Sequence, residues 1–148
     1  MQESLIHARC IDDVESTLLK LLAEHKQLPN SNRIGFVSGS LFSDGPKFVE
    51  RNMRRLEEYT NQLRAAHQFP IFSAIEVFYS GLSNQLEEYK GSMEARRPRL
   101  ITFWKNVLSF GHITDIFMTP GWERSEGAHD EHHNAQKRGL TIHYITQV

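Results

Sequence analysis

Apolar residues recur at steps of three and four between Ile11 and Lys26, at Ile11, Val14, Leu18 and Leu21, with His25 completing the row. That spacing predicts a helix with one apolar face. Asp12, with Glu15 three residues later, resembles a capping box. The breaker cluster Leu28-Pro29-Asn30-Ser31-Asn32 ends the segment. The pattern then changes to a short continuous apolar run, Arg33 to Ser38, followed by the small residues Gly39 and Ser40, which reads as a buried strand and a tight turn. Asp44-Gly45-Pro46 opens a second long helix to about His67, with Val49, Met53, Leu56, Thr60 and Leu63 on one face.

Phe69 to Ile75 is strand-like. Ser80 to Arg97 is polar and ambiguous, and Pro98 is expected to start a helix that Gly111 stops. Ile113 to Thr119 forms a third strand before Pro120-Gly121. A helix follows from about Ser125 to Arg138, with Gly139 as its C-cap, and Leu140 to Ile145 is a final β-rich run. Strands alternating with helices predict an α/β domain: a three-layer, flavodoxin- or Rossmann-like arrangement with a parallel sheet of four to five strands. Residues 1–32 are expected to be an N-terminal helical extension and 33–148 the α/β domain.

Composition narrows the function. The 17 Lys and Arg nearly balance the 18 Asp and Glu. That argues against a nucleic-acid polymer as partner, which calls for a basic excess. Cys10 is the single cysteine, so an internal disulfide framework and a Cys-rich zinc module are both excluded. No apolar run reaches the roughly 18 residues of a membrane span, and Met1 to Cys10 lacks the apolar core of a signal peptide. A soluble cytoplasmic protein is expected, with neither a membrane nor a bound cofactor.

In an open parallel sheet, ligands bind beyond the carboxyl ends of the strands. Two segments there are chemically equipped. Ser38, Gly39 and Ser40 offer hydroxyls and a backbone that a ligand can approach closely. Thr119 to Glu131 leaves a strand and enters a helix, placing Ser125 and Gly127 at a helix N-terminus that favours an anion. Glu131 lies about one turn further in, and Trp122 offers a flat aromatic face. Each feature also has a plainer reading: Glu131 as a solvated carboxylate, Asp115 as a structural acid, Trp122 as loop packing. His129 and His133 stand four apart on the same helix, a spacing able to chelate zinc, but no third ligand is evident. The Arg96-Arg97-Pro98-Arg99 cluster could attract a phosphate, although such runs usually form a solvated face.

The block Asp115-Ile116-Phe117-Met118-Thr119-Pro120-Gly121-Trp122-Glu123-Arg124-Ser125-Glu126-Gly127, followed by Glu131, Ala135 and Gly139, resembles the nucleoside 2-deoxyribosyltransferase-like superfamily. The strand leading into Ser38-Gly39-Ser40 resembles the substrate loop of that superfamily. The resemblance implies cleavage or transfer at the N-glycosidic bond of a nucleoside or nucleoside 5′-monophosphate. It casts Glu131 as the nucleophile, and Ser125 and Gly127 as holders of a 5′-phosphate. Ser38, Gly39 and Ser40 would hold sugar or phosphate, and Asp115 and Trp122 would shape the site. It also implies a homo-oligomer. Transferase members carry an acidic residue about eight positions before the strand Asp. Here that stretch reads Trp104-Lys105-Asn106-Val107-Leu108-Ser109, leaving Asn106 as the polar residue nearest the base. Hydrolysis therefore ranks ahead of transfer. A non-catalytic nucleotide-binding or sensing module is the alternative, and a His-ligated metal hydrolase the third.

Overall fold

The computed structural model describes residues 2–5, 7–28, 32–41, 44–78, 85–90 and 93–146. Among the described residues the α-helices and strands follow in the order α1 (Gln2–Leu5), α2 (Ile11–Lys26), β1 (Gly35–Ser38), α3 (Val49–Ala66), β2 (Ile71–Ser73), α4 (Ala74–Phe78), α5 (Met93–Ser109), β3 (Asp115–Met118), α6 (Glu126–Arg138) and β4 (Thr141–Tyr144). The four strands form one parallel sheet in the order β2-β1-β3-β4. This is a Rossmann-like three-layer α/β fold. β1, β2 and β3 are buried at every position, as strands covered on both faces must be. α3 lies against β1 and β2, α6 against β3 and β4, and α5 packs beside α6.

The apolar row of α2 is spent inside the chain. Ile11, Val14, Leu18 and Leu22 are buried in the same core as Phe36, Phe103 and Ile116, and α2 packs on α5. The helix does not use Asp12 and Glu15 as a capping box. Its N-cap is Cys10, and Glu88 Oε1 accepts from the Ile11 amide at 2.9 Å. Asp12 pairs instead with Arg99, and Glu15 accepts from Asn106. On α3 the buried row is Asn52, Leu56 and Thr60. Asn52 is tolerated there because its amide donates to the Leu41 carbonyl and to Asp44.

α5 begins at Met93, five residues before the proline expected to start it. Pro98 sits inside the helix and sacrifices one backbone bond. This extension places Arg96 and Arg97 on the helix rather than in a loop. Part of the ambiguous 80–97 stretch, residues 80–84 and 91–92, lies outside the described residues. Glu87–Lys90 forms a short 3-10 turn. Among the described residues no helix is long and apolar enough to cross a membrane.

Candidate active site

β1 is central, and the chain leaves it toward β2 on one side before crossing back to β3 on the other. The carboxyl ends of β1 and β3 therefore border the crevice of a topological switch point. A cavity opens there. Ser38 and Gly39 end its β1 wall, α5 contributes Arg97, Leu100, Ile101 and Trp104, and the first two turns of α6 close it. The floor is aromatic: the Phe36 and Trp104 rings lie 4.5 Å apart.

Glu131 reaches this cavity from the second turn of α6 and is 9% exposed. Ser38 Oγ donates to Glu131 Oε1 at 3.2 Å. Burial pushes the Glu131 carboxyl from its ordinary 4.5 up to about 8, an effect that the Ser38 hydrogen bond opposes and neighbouring Asp130 reinforces. The loop after β1 is clamped to the end of β3, because the Thr119 amide and hydroxyl both donate to the Ser38 carbonyl, at 3.0 and 3.1 Å. Gly39 is required by that clamp. A Cβ there would stand 2.1 Å from Thr119 Oγ1, so any side chain must dislodge the threonine from its bond.

α6 is fixed at both ends. Ser125 is its N-cap and accepts from the Ala128 amide at 3.2 Å. Its own hydroxyl proton is still free to donate. Gly139, at φ 74, supplies the left-handed C-cap. The cap leaves the Glu126 and Gly127 amides, the first two of the helix, without an intrahelical carbonyl. A Cβ built on Gly127 meets no atom within 4 Å, so open space lies above it.

The structure thus brings together Ser38, Gly39, Ser125, Gly127 and Glu131. Four other candidates fall elsewhere. Asp115 opens β3, at the opposite end of the sheet from the cavity. It accepts from Arg33 Nη2 (2.7 Å), Thr114 Oγ1 (2.6 Å) and His143 Nε2 (2.8 Å). Burial alone would raise its pKa, but these bonds outweigh it and hold the carboxyl at about 2. Trp122 stacks on His132 at 4.1 Å, beside Tyr144, because the left-handed turn at Gly121 (φ 86) lays the indole on the outer side of α6. Asn106 donates to Glu15 on α2; two residues beyond Trp104, it faces about 200° away from the cavity stripe. Ser40 borders a separate small cleft with Asn52, Arg55, Tyr59 and Arg124. His129 and His133 line a second cleft with Ile101, Glu123, Glu126 and Asp130. Among the described residues no group of three or more His, Cys, Asp or Glu converges on a metal position.

Sequence reasoning read Arg97 as part of a basic cluster able to attract a phosphate and Leu100 and Trp104 as apolar positions of the next helix, but did not place them together on a cavity wall. Its signal was a stripe at i, i+3, i+4 and i+7, apolar at Leu100, Ile101 and Trp104 but headed by Arg97.

A family model described as a domain of unknown function, DUF4406, matches residues 106–144. The matched stretch runs from the second half of α5 to β4, so it includes Ser125, Gly127 and Glu131 but neither Ser38 nor Arg97. No curated protein and no solved structure matches the chain.

Proposed function

We propose that this chain cleaves the N-glycosidic bond of a nucleoside or nucleoside 5′-monophosphate, with Glu131 as the nucleophile. One observation carries the reading: a buried carboxyl, bonded to Ser38, lies one helical turn below open amides in a switch-point cavity. That turn is about 5.4 Å long. Glu131 follows Gly127 by four residues, about 6 Å of rise, and on this reading a nucleotide would lay its 5′-phosphate at the amides and its anomeric carbon at the carboxyl. The resemblance to nucleoside 2-deoxyribosyltransferases supports the same assignment.

In this mechanism a Glu131 carboxylate oxygen attacks C1′. The C1′–N bond breaks, and its electron pair leaves with the base, which takes up a proton from solvent. The product is a glycosyl ester on Glu131. Water then attacks C1′ and gives up a proton to solvent; the C1′–O bond to Glu131 breaks, which restores the carboxylate and frees the sugar, as in retaining glycosidases. Ser38 orients the carboxyl, while Phe36, Leu100 and Trp104 keep bulk water from the ester.

The test is a panel of the four ribonucleosides and deoxyribonucleosides and their 5′-monophosphates. Free base should accumulate, and mass spectrometry of quenched enzyme should find the sugar on the α6 peptide. Absence of both across the panel sinks the reading. A second reading, a binding module without chemistry, is favoured by one feature: burial pushes the Glu131 carboxyl up to about 8, toward the protonated form that cannot attack. Binding of monophosphates without base release would establish it.

Gly127 provides an independent check. Nothing in the protein requires a glycine there, and in a helix glycine is about 0.5–1 kcal/mol worse than alanine. Gly127→Ala should therefore melt slightly higher than the parent but bind a nucleoside monophosphate roughly ten-fold more weakly, because the methyl group fills the phosphate's place. Calorimetry showing unchanged affinity would remove phosphate from this position.

A further inference from the structure

At the mouth of the cavity Arg97 Nη1 of α5 lies 3.8 Å from Glu126 Oε2 of α6. Both residues line the same cavity as Glu131. The separation is too long for a direct hydrogen bond. The side chains are 45% and 69% exposed, so the pair is worth little and is easily broken. Its position gives it meaning. Glu126 is the first residue of α6, where the helix field favours negative charge. Its carboxylate is thus an internal anion facing Arg97 on the rim of the same cavity, at the helix end whose free amides would receive an external one.

We propose that Arg97 and Glu126 form an exchangeable pair that makes the cavity select phosphorylated ligands. The inference rests on the nucleotide reading of the cavity and adds the group that decides between nucleoside and nucleotide. An incoming phosphate monoester takes the Arg97 guanidinium and the α6 amides, and the Glu126 carboxylate turns out into solvent. The exchange is downhill. A phosphate monoester carries roughly −1.5 to −2 charge at pH 7 against −1 for a carboxylate. It also meets the planar guanidinium fork with two oxygens, where Glu126 meets it at a distance. A nucleoside has nothing to offer Arg97 and leaves the original pair in place. Arg97 is thus a specificity-determining residue, and Glu126 a placeholder that keeps neutral sugars from drawing full benefit from the site.

The experiment measures binding of inorganic phosphate, and of the four ribonucleoside 5′-monophosphates and their nucleosides, by calorimetry at fixed ionic strength. For the parent, binding of phosphate and preference for monophosphates are expected. Arg97→Ala should weaken phosphate and monophosphates roughly 10- to 100-fold while moving nucleosides less than about two-fold. Arg97→Lys should retain part of the affinity, since a point charge replaces the fork. Glu126→Gln should tighten phosphate several-fold, and the gain should vanish in the Arg97→Ala/Glu126→Gln double variant. The proposal is overturned if the parent does not bind phosphate, if Arg97→Ala binds it like the parent, if nucleosides and nucleotides lose affinity equally, or if Glu126→Gln binds more weakly. The two readings also separate. Phosphate selection without base release keeps the exchange and defeats the glycosidase. Base release that ignores both the phosphate and Arg97 keeps the glycosidase and defeats the exchange.

Discussion

Glu131→Gln is expected to abolish base release and at the same time raise the melting temperature. Loss of the attacking oxygen should lower turnover by at least about 10³-fold. The gain in stability follows from burial. Glutamine can still accept from Ser38, but it removes an ionisable group whose pKa stands at about 8 in the folded chain against an ordinary 4.5. Below pH 4.5 the carboxyl is protonated in both states and the substitution should be nearly neutral. Between 4.5 and 8 the unfolded chain releases the proton while the folded chain keeps it, so the stability of the parent falls as pH rises. Above 8 both are ionised and the gap stays constant, at a few kcal/mol. Thermal melts of both proteins from pH 4 to 9 should diverge across that window. Equal melting at pH 8 would show that the carboxyl is not desolvated. The kinetics carry the matching sign. A nucleophile must be anionic, so kcat/KM should climb about ten-fold per pH unit below 8 and then level. A rate that falls through pH 8 would instead make Glu131 a proton donor.

The second large effect lies at the other end of the sheet. Asp115→Ala should destabilise by about 2–4 kcal/mol. The aspartate is 2% exposed and is the shared acceptor for Arg33, Thr114 and His143. The lower part of the range applies because the Arg33 and His143 side chains are 45% and 34% exposed and regain water. With the folded pKa depressed to about 2 from 3.8, the stabilisation is present above pH 3.8 and is lost as pH falls through 2. Urea unfolding at pH 7 and at pH 2.5 measures both parts. A loss under 1 kcal/mol at pH 7 would mean that the cluster is ornamental. Below its melting temperature the variant should bind monophosphates normally, since Asp115 lies about 10 Å along β3 from the end of the strand that borders the cavity.

Periodicity made the architecture readable. The apolar rows of α2 and α3, the continuous runs of β1 and β3, and the Ser125 and Gly139 caps of α6 all announce themselves, because local geometry and burial dictate them together. Half of the site was readable for the same reason. Ser38, Gly39, Ser125, Gly127 and Glu131 sit at the carboxyl ends of strands or the first turns of a helix, positions that element boundaries already place. The rest depends on orientation. Asp115 shares a strand with the site but opens it. Trp122 is turned away by a positive φ at Gly121, and Asn106 is turned away by two helical steps. Arg97 was readable only as part of a basic cluster able to attract a phosphate, and its place on the cavity wall was not, because a proline usually marks the first turn. In α5 the helix runs through Pro98 and lifts the preceding arginines onto the cavity wall.

The matched stretch 106–144 ends up with only one side of the cavity. It carries the buried Glu131 carboxyl and the first amides of α6 on a helix fastened at both tips, while the Ser38 hydroxyl and the Arg97 guanidinium come from earlier in the chain. On the proposed reading such a division would separate bond cleavage from the choice of ligand. Substitutions in the earlier wall would then change which ligand is taken and leave the helix that carries Glu131 as it is.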